Sequence, residues 1–139
     1  MAPDPKNLRR QFQLPPEDEA FLNGLGLAWE TVVVANQHWV LVYGEKIPAG
    51  YNCAEADVAI LIAPAYPPGP LDMAYFYPPL VRANGVAPQR SEGRVAIDNK
   101  SWQGWSRHRT NDNPWVAGED NLESHYFYMR AWLADELKR

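Results

Sequence analysis

Cys53 is the only cysteine among 139 residues. One thiol excludes an intrachain disulfide and any metal site built from several cysteines. Histidine is nearly as scarce. His38, His108 and His125 lie far apart, and no pair has the His-x-x-x-His spacing of a metal motif. No metal and no cofactor is therefore expected. Positive charge is also short: 13 Lys and Arg against 17 Asp and Glu leave a net charge of −4. That balance argues against a chain-wide nucleic-acid surface. Long hydrophobic runs are missing. The longest, Val58 to Tyr66, is broken by Pro64 and is too short to span a bilayer. Met1 to Gln13 is polar and lacks the apolar stretch of a signal peptide. The expectation is a soluble, cytoplasmic protein with no membrane partner. There is no internal repeat, no low-complexity segment and no glycine-rich phosphate loop.

Proline and tryptophan are in excess. Three of the six tryptophans fall in Ser101–Trp115, interleaved with a hydroxyl, an imidazole, two guanidiniums and several amides. Each indole buries a large apolar area and carries one N–H that wants an acceptor. The stretch reads as a loop pinned by aromatic anchors and presenting polar groups between them, which is where function tends to sit.

Residues 1–13 lack apolar periodicity and read as a flexible arm, with residues 14–139 as one domain. Pro15 to Glu19 opens a short helix that Gly24 stops. Ala28–Ala35 and His38–Tyr43 read as a strand hairpin, and Ala56–Ala63, apolar on both faces, as a central strand. Four prolines between Pro64 and Pro70 forbid both helix and ladder pairing, so that segment is an extended crossing. Met73–Tyr77 is a fourth strand. Periodicity then fades from Leu80 to Lys100, apart from a short strand at Arg94–Ile97. Asp120, with Glu123 three residues on, reads as the cap of a last helix running to about Lys138. Its apolar stripe is Leu122, Tyr126, Met129, Leu133 and Leu137. The predicted class is α+β: an N-terminal helix, a four-stranded antiparallel meander, a long irregular loop and a C-terminal helix.

The same order of elements resembles the ubiquitin-conjugating (UBC-like) fold. The stretches Pro48–Asn52, Ala65–Pro67, Leu71–Pro78 and Trp102–His108 resemble one bacterial branch, the prokaryotic UBC-like family E, over roughly residues 14–137. The resemblance implies a place in a bacterial ubiquitin-like modifier pathway. Its implied partners are a ubiquitin-like modifier, a ThiF-type activating enzyme and a JAB-type isopeptidase.

The departure from the wider superfamily is its catalytic cysteine. If Trp115 is the tryptophan that follows the site, the cysteine position falls near Arg107, where the chain has Ser106, Arg107 and His108. If Gly93–Asp98 is matched to the superfamily's Gly-x-Ile-Cys-Leu-Asp, Ala96 takes the position. Neither register supplies a thiol. Cys53 lies before the third strand and reads as a small buried hydrophobe.

Ser106 and His108 are two apart, so in an extended loop their side chains point to one side. A histidine within reach is what makes a serine nucleophilic. Asp98, with Asp112 and Asp120 as further options, is the expected orienter of that imidazole. The alternative is that His108 bonds the loop backbone and Ser106 caps a turn. The catalytic set is thus Ser106, His108 and Asp98. The partner-facing set is Trp102, Trp105, Arg107, Arg109, Tyr66 and Pro67. Asn99 and Asn111 are oxyanion donors or turn residues. Arg90, Arg94, Lys100, Arg107 and Arg109 form a local basic stretch that reads as surface ion pairs, as a partner surface, or last, given the net charge, as a nucleic-acid site. Two functions stay open. One is a conjugation protein that carries or scaffolds the modifier without the usual cysteine. The other is an adaptor with no chemistry.

Overall fold

The computed structural model describes residues 2–139. Its elements are α1 (Pro16–Gly24), β1 (Trp29–Val34), β2 (Gln37–Lys46), β3 (Glu55–Ile62), β4 (Ala74–Tyr77), β5 (Gly93–Ile97), β6 (Lys100–Trp105) and α2 (Leu122–Glu136). One sheet of six strands runs in the order β1-β2-β3-β4-β6-β5, with every pair antiparallel. The class is α+β, as expected, but the sheet has six strands in place of four, and only β1 to β4 follow one another as a meander, since β6 lies between β4 and β5. The irregular stretch after β4 contains a full hairpin, β5–β6, turned by Asp98 and Asn99 at φ 55° and 61°. Paired positive-φ residues are the signature of a two-residue hairpin turn.

Strand β6 corrects the tryptophan loop. Trp102 and Trp105 are three apart on a strand, so they face opposite sides of the sheet. Both are fully buried. Trp105 joins Phe76, Tyr51 and the helix residues Leu22, Tyr126 and Met129 in the larger core. Trp102 joins Val32, Trp39, Leu41 and Ile97 in a second core on the opposite face, to which neither helix contributes. Their indole N–H groups donate to Gln103 Oε1 and to the Ile97 carbonyl. Neither ring is available to a partner. Gly104 lies between them, where a Cβ would come within 2.7 Å of the Tyr75 ring.

The sheet curls until its far ends meet. Arg9, beside β1, donates to both oxygens of Asp98 at the β5–β6 tip, at 2.9 and 2.7 Å. It also donates to buried Glu30, which accepts from Tyr43 at 2.6 Å. The segment expected to be a flexible arm is therefore laid along β1 from Arg9 to Phe12. Gln11 N–H donates to the Thr31 carbonyl, Thr31 N–H to the Arg9 carbonyl, and Phe12 stacks on His38. Helix α2 caps differently from its expectation. Asn121 is the N-cap and Ser124 completes the capping box. Asp120 instead accepts from Val116 N–H and Ser124 Oγ–H. Among the described residues, no helix is long and apolar enough to cross a membrane.

Candidate active site

The pairing of β4 with β6 builds the site. Ala74 sits opposite Trp105. Carrying that antiparallel register one step outward sets Met73 against Ser106, and a second step sets Asp72 against Arg107. Ser106 is fixed at the strand end, because its N–H donates to the Arg90 carbonyl at 2.8 Å. His108 follows by two residues and lies over Asp72. Ser106 Oγ is 2.8 Å from His108 Nε2, and His108 Nδ1 is 2.7 and 2.9 Å from the two oxygens of Asp72. A carboxylate only accepts, so Nδ1 carries the proton and Nε2 is left to accept from the serine hydroxyl. The serine, imidazole and carboxylate stand in the order that activates a serine nucleophile.

Asp72 replaces Asp98 in this chain. Asp98 lies at the far tip of β5–β6 and is committed to Arg9. Those hydrogen bonds draw its pKa below the usual carboxylate range against the opposing effect of burial. Asp120 is committed to Arg109 at 3.3 Å. Nothing in the sequence alone signals this role for Asp72, which simply precedes the expected strand Met73–Tyr77.

The segment bearing Asp72 is braced from α2. His125, fully buried, donates from Nε2 to the Met73 carbonyl at 2.7 Å and packs edge-on against Trp132. Burial pushes its pKa down, so the ring is held neutral. Met73 itself sits at φ 58°. The site is open to solvent: the side chains of His108 and Asp72 are 53% and 54% exposed.

The other expected site residues hold the surroundings together. Arg107 donates to the Gln89 carbonyl at 2.8 Å, approaches Glu136 at 3.4 Å and lies over the Trp105 ring. Arg109 lies between Trp115 and Tyr128. Trp115, the one tryptophan of the three that lies outside β6, donates to the Pro67 carbonyl at 3.2 Å. Tyr66 donates to buried Asp18 and accepts the Leu122 N–H at the start of α2. The basic residues do not form one stripe. Lys100 lies at the opposite end of β6 from Arg107, over Tyr77, and Arg94 is turned onto the Ser91 and Gly93 carbonyls. Asn99 is a turn residue beside Asp98, away from Ser106.

The two candidate cysteine positions are also placed. Ala96 is an exposed residue on edge strand β5, and Arg107 borders the Ser106 cleft. Cys53 lies in the β2–β3 connection, partly packed on the larger core, and burial pushes its thiol pKa up. A thiol in that setting is a poor nucleophile. Among the described residues, no group of three His, Cys, Asp or Glu side chains is placed to hold a metal ion.

The model of prokaryotic E2 family E matches residues 14–136. No curated protein and no solved structure matches the chain. The family match spans both helices and all six strands. The chain belongs to prokaryotic E2 family E.

Proposed function

We propose that this protein is a UBC-like carrier in a bacterial ubiquitin-like conjugation pathway, and that it holds the modifier as an oxyester on Ser106 in place of a cysteine thioester. Family membership gives it the conjugation-related role. The observation that carries the finer reading is the Ser106–His108–Asp72 chain of hydrogen bonds. In the loading step, Ser106 Oγ attacks the thioester carbonyl presented by the activating enzyme. A C–O bond forms, the C–S bond breaks, and the hydroxyl proton passes to His108 Nε2 and on to the departing thiolate. Asp72 holds the tautomer and stabilises the imidazolium that forms. In the discharge step His108 takes a proton from the incoming amine, a C–N bond forms, the ester C–O bond to Ser106 breaks, and His108 returns the proton to the departing Ser106 Oγ.

The test is intact-mass analysis after mixing the protein with the modifier, the activating enzyme and ATP. An adduct cleaved by hydroxylamine and mapped to Ser106, absent in Ser106→Ala, is the expected result. An adduct on Cys53 would sink the proposal.

The adaptor reading rests on the exposure of the site, which leaves these hydrogen bonds open to competition from water. It predicts no adduct, and a complex with the activating enzyme or modifier that survives replacement of both Ser106 and His108.

A further inference from the structure

Arg90 is a cation beside Ser106 with nothing to pair it. Its carbonyl accepts the Ser106 N–H, its backbone is held at φ 51° and its side chain is exposed. Among the described residues its guanidinium forms no ion pair. The neighbouring guanidiniums converge on one buried carboxylate. Glu136 meets Arg107 at 3.4 Å, Arg82 at 3.7 Å and Arg139 at 3.9 Å. Along the cleft itself Arg90, Arg107 and Arg139 stand against Glu136 and Asp135, an excess of one positive side chain. Asp135, on the same wall, is engaged by Lys138 at 3.4 Å. The result is a cationic cleft of about 290 Å³ on a chain of net charge −4. Ser106 and His108 open onto it. Its wall includes Trp132, whose buried indole N–H has no acceptor among the described residues.

We propose that this cleft docks an acidic peptide segment of a partner protein and so leads that partner to Ser106. A guanidinium presents a planar fork that fits a carboxylate with two parallel bonds, and inside the cleft Glu136 accepts a single such bond, from Arg107 at 3.4 Å. Several cations around one trough favour several carboxylates over a single one. Charge complementarity of this kind also speeds encounter. The purpose of the docking rests on acyl transfer at Ser106; the binding itself does not.

The experiment titrates the 139-residue chain with hexaglutamate, with hexalysine and with inorganic phosphate, by calorimetry and by amide NMR. Hexaglutamate is expected to bind and to shift the Ser106 and Arg107 amides and the Trp132 indole N–H. Its affinity should fall with added salt. Hexalysine is expected to leave the spectrum unchanged. Arg90→Glu should weaken hexaglutamate roughly tenfold or more, while Arg90→Lys keeps most of the affinity. No hexaglutamate binding, or binding that Arg90→Glu leaves intact, overturns the proposal. Phosphate binding as tightly as hexaglutamate also overturns it, in favour of a small-anion site. A Ser106 adduct without hexaglutamate binding refutes the docking alone. Binding without any adduct refutes the transfer chemistry alone.

Discussion

Two clusters of the same chemistry lie on the curled sheet, and burial separates them. In one, Arg9, Glu30, Tyr43 and Asp98 tie β1 to the β5–β6 tip. In the other, Ser106, His108 and Asp72 meet where β4 and β6 end. Each is a chain of hydrogen bonds ending on a carboxylate. The Glu30 side chain is only 2% exposed. Burial pushes the Glu30 pKa up, but hydrogen bonds from Arg9 and Tyr43 and the Arg9 charge outweigh it and hold the pKa at about 2. Asp72, by contrast, is more than half exposed. The buried cluster closes the sheet and cannot exchange partners without cost. The exposed one has little structural work, and its serine can meet another molecule.

That contrast can be broken from either side. Glu30→Ala would leave the buried Tyr43 hydroxyl without its acceptor and Arg9 with Asp98 alone, and a loss of about 2 to 3 kcal/mol is expected by urea unfolding. A loss below 1 kcal/mol would mean that the buried cluster does not close the sheet. Asp72→Asn should slow Ser106 loading about a hundredfold, because the imidazole loses its tautomer and its counter-charge. Its unfolding free energy should stay within about 0.5 kcal/mol of wild type.

Arg9→Ala comes next, at about 1 to 2 kcal/mol, since the guanidinium is 35% exposed and partly screened. It also sharpens the comparison through pH. Glu30 has a folded pKa of about 2, below its ordinary value of 4.5. Its contribution is therefore complete above pH 4.5 and is lost as pH falls towards 2. In Arg9→Ala the fall in stability across that window should be shallower. A slope unchanged from wild type would assign the acid sensitivity elsewhere. The smallest effect on folding belongs to His108→Ala, within about 0.5 kcal/mol by thermal or urea melts. A larger loss would make that imidazole a structural element.

Much of the fold was legible because its signals are local. The β-branched runs of β1 and β3, the proline crossing and the stripe Leu122, Tyr126, Met129, Leu133 each state their element directly. Strand β6 did not, because Lys-Ser-Trp-Gln-Gly-Trp has no β-branched residue and places its two indoles in different cores. That one omission accounts for the main errors. Without β6, Trp102 and Trp105 look like loop anchors, and no register carries Asp72 towards His108. Ser106 and His108 were readable from their spacing. Asp72 was not, since its partner lies 36 residues away and only the β4–β6 ladder brings them together. The pairing of Arg9 with Asp98 was hidden for the same reason, the two residues being 89 apart.

The most direct test of an activated Ser106 needs no partner protein. The purified chain is mixed with excess 4-nitrophenyl acetate, followed by release of 4-nitrophenolate and by peptide mass mapping. An activated Ser106 should give a burst of one equivalent per chain, one acetyl group on the peptide holding Ser106, and loss of both in Ser106→Ala and His108→Ala. A burst that survives in Ser106→Ala, or an acetyl group found on Cys53 or a lysine with Ser106 unmodified, would contradict it.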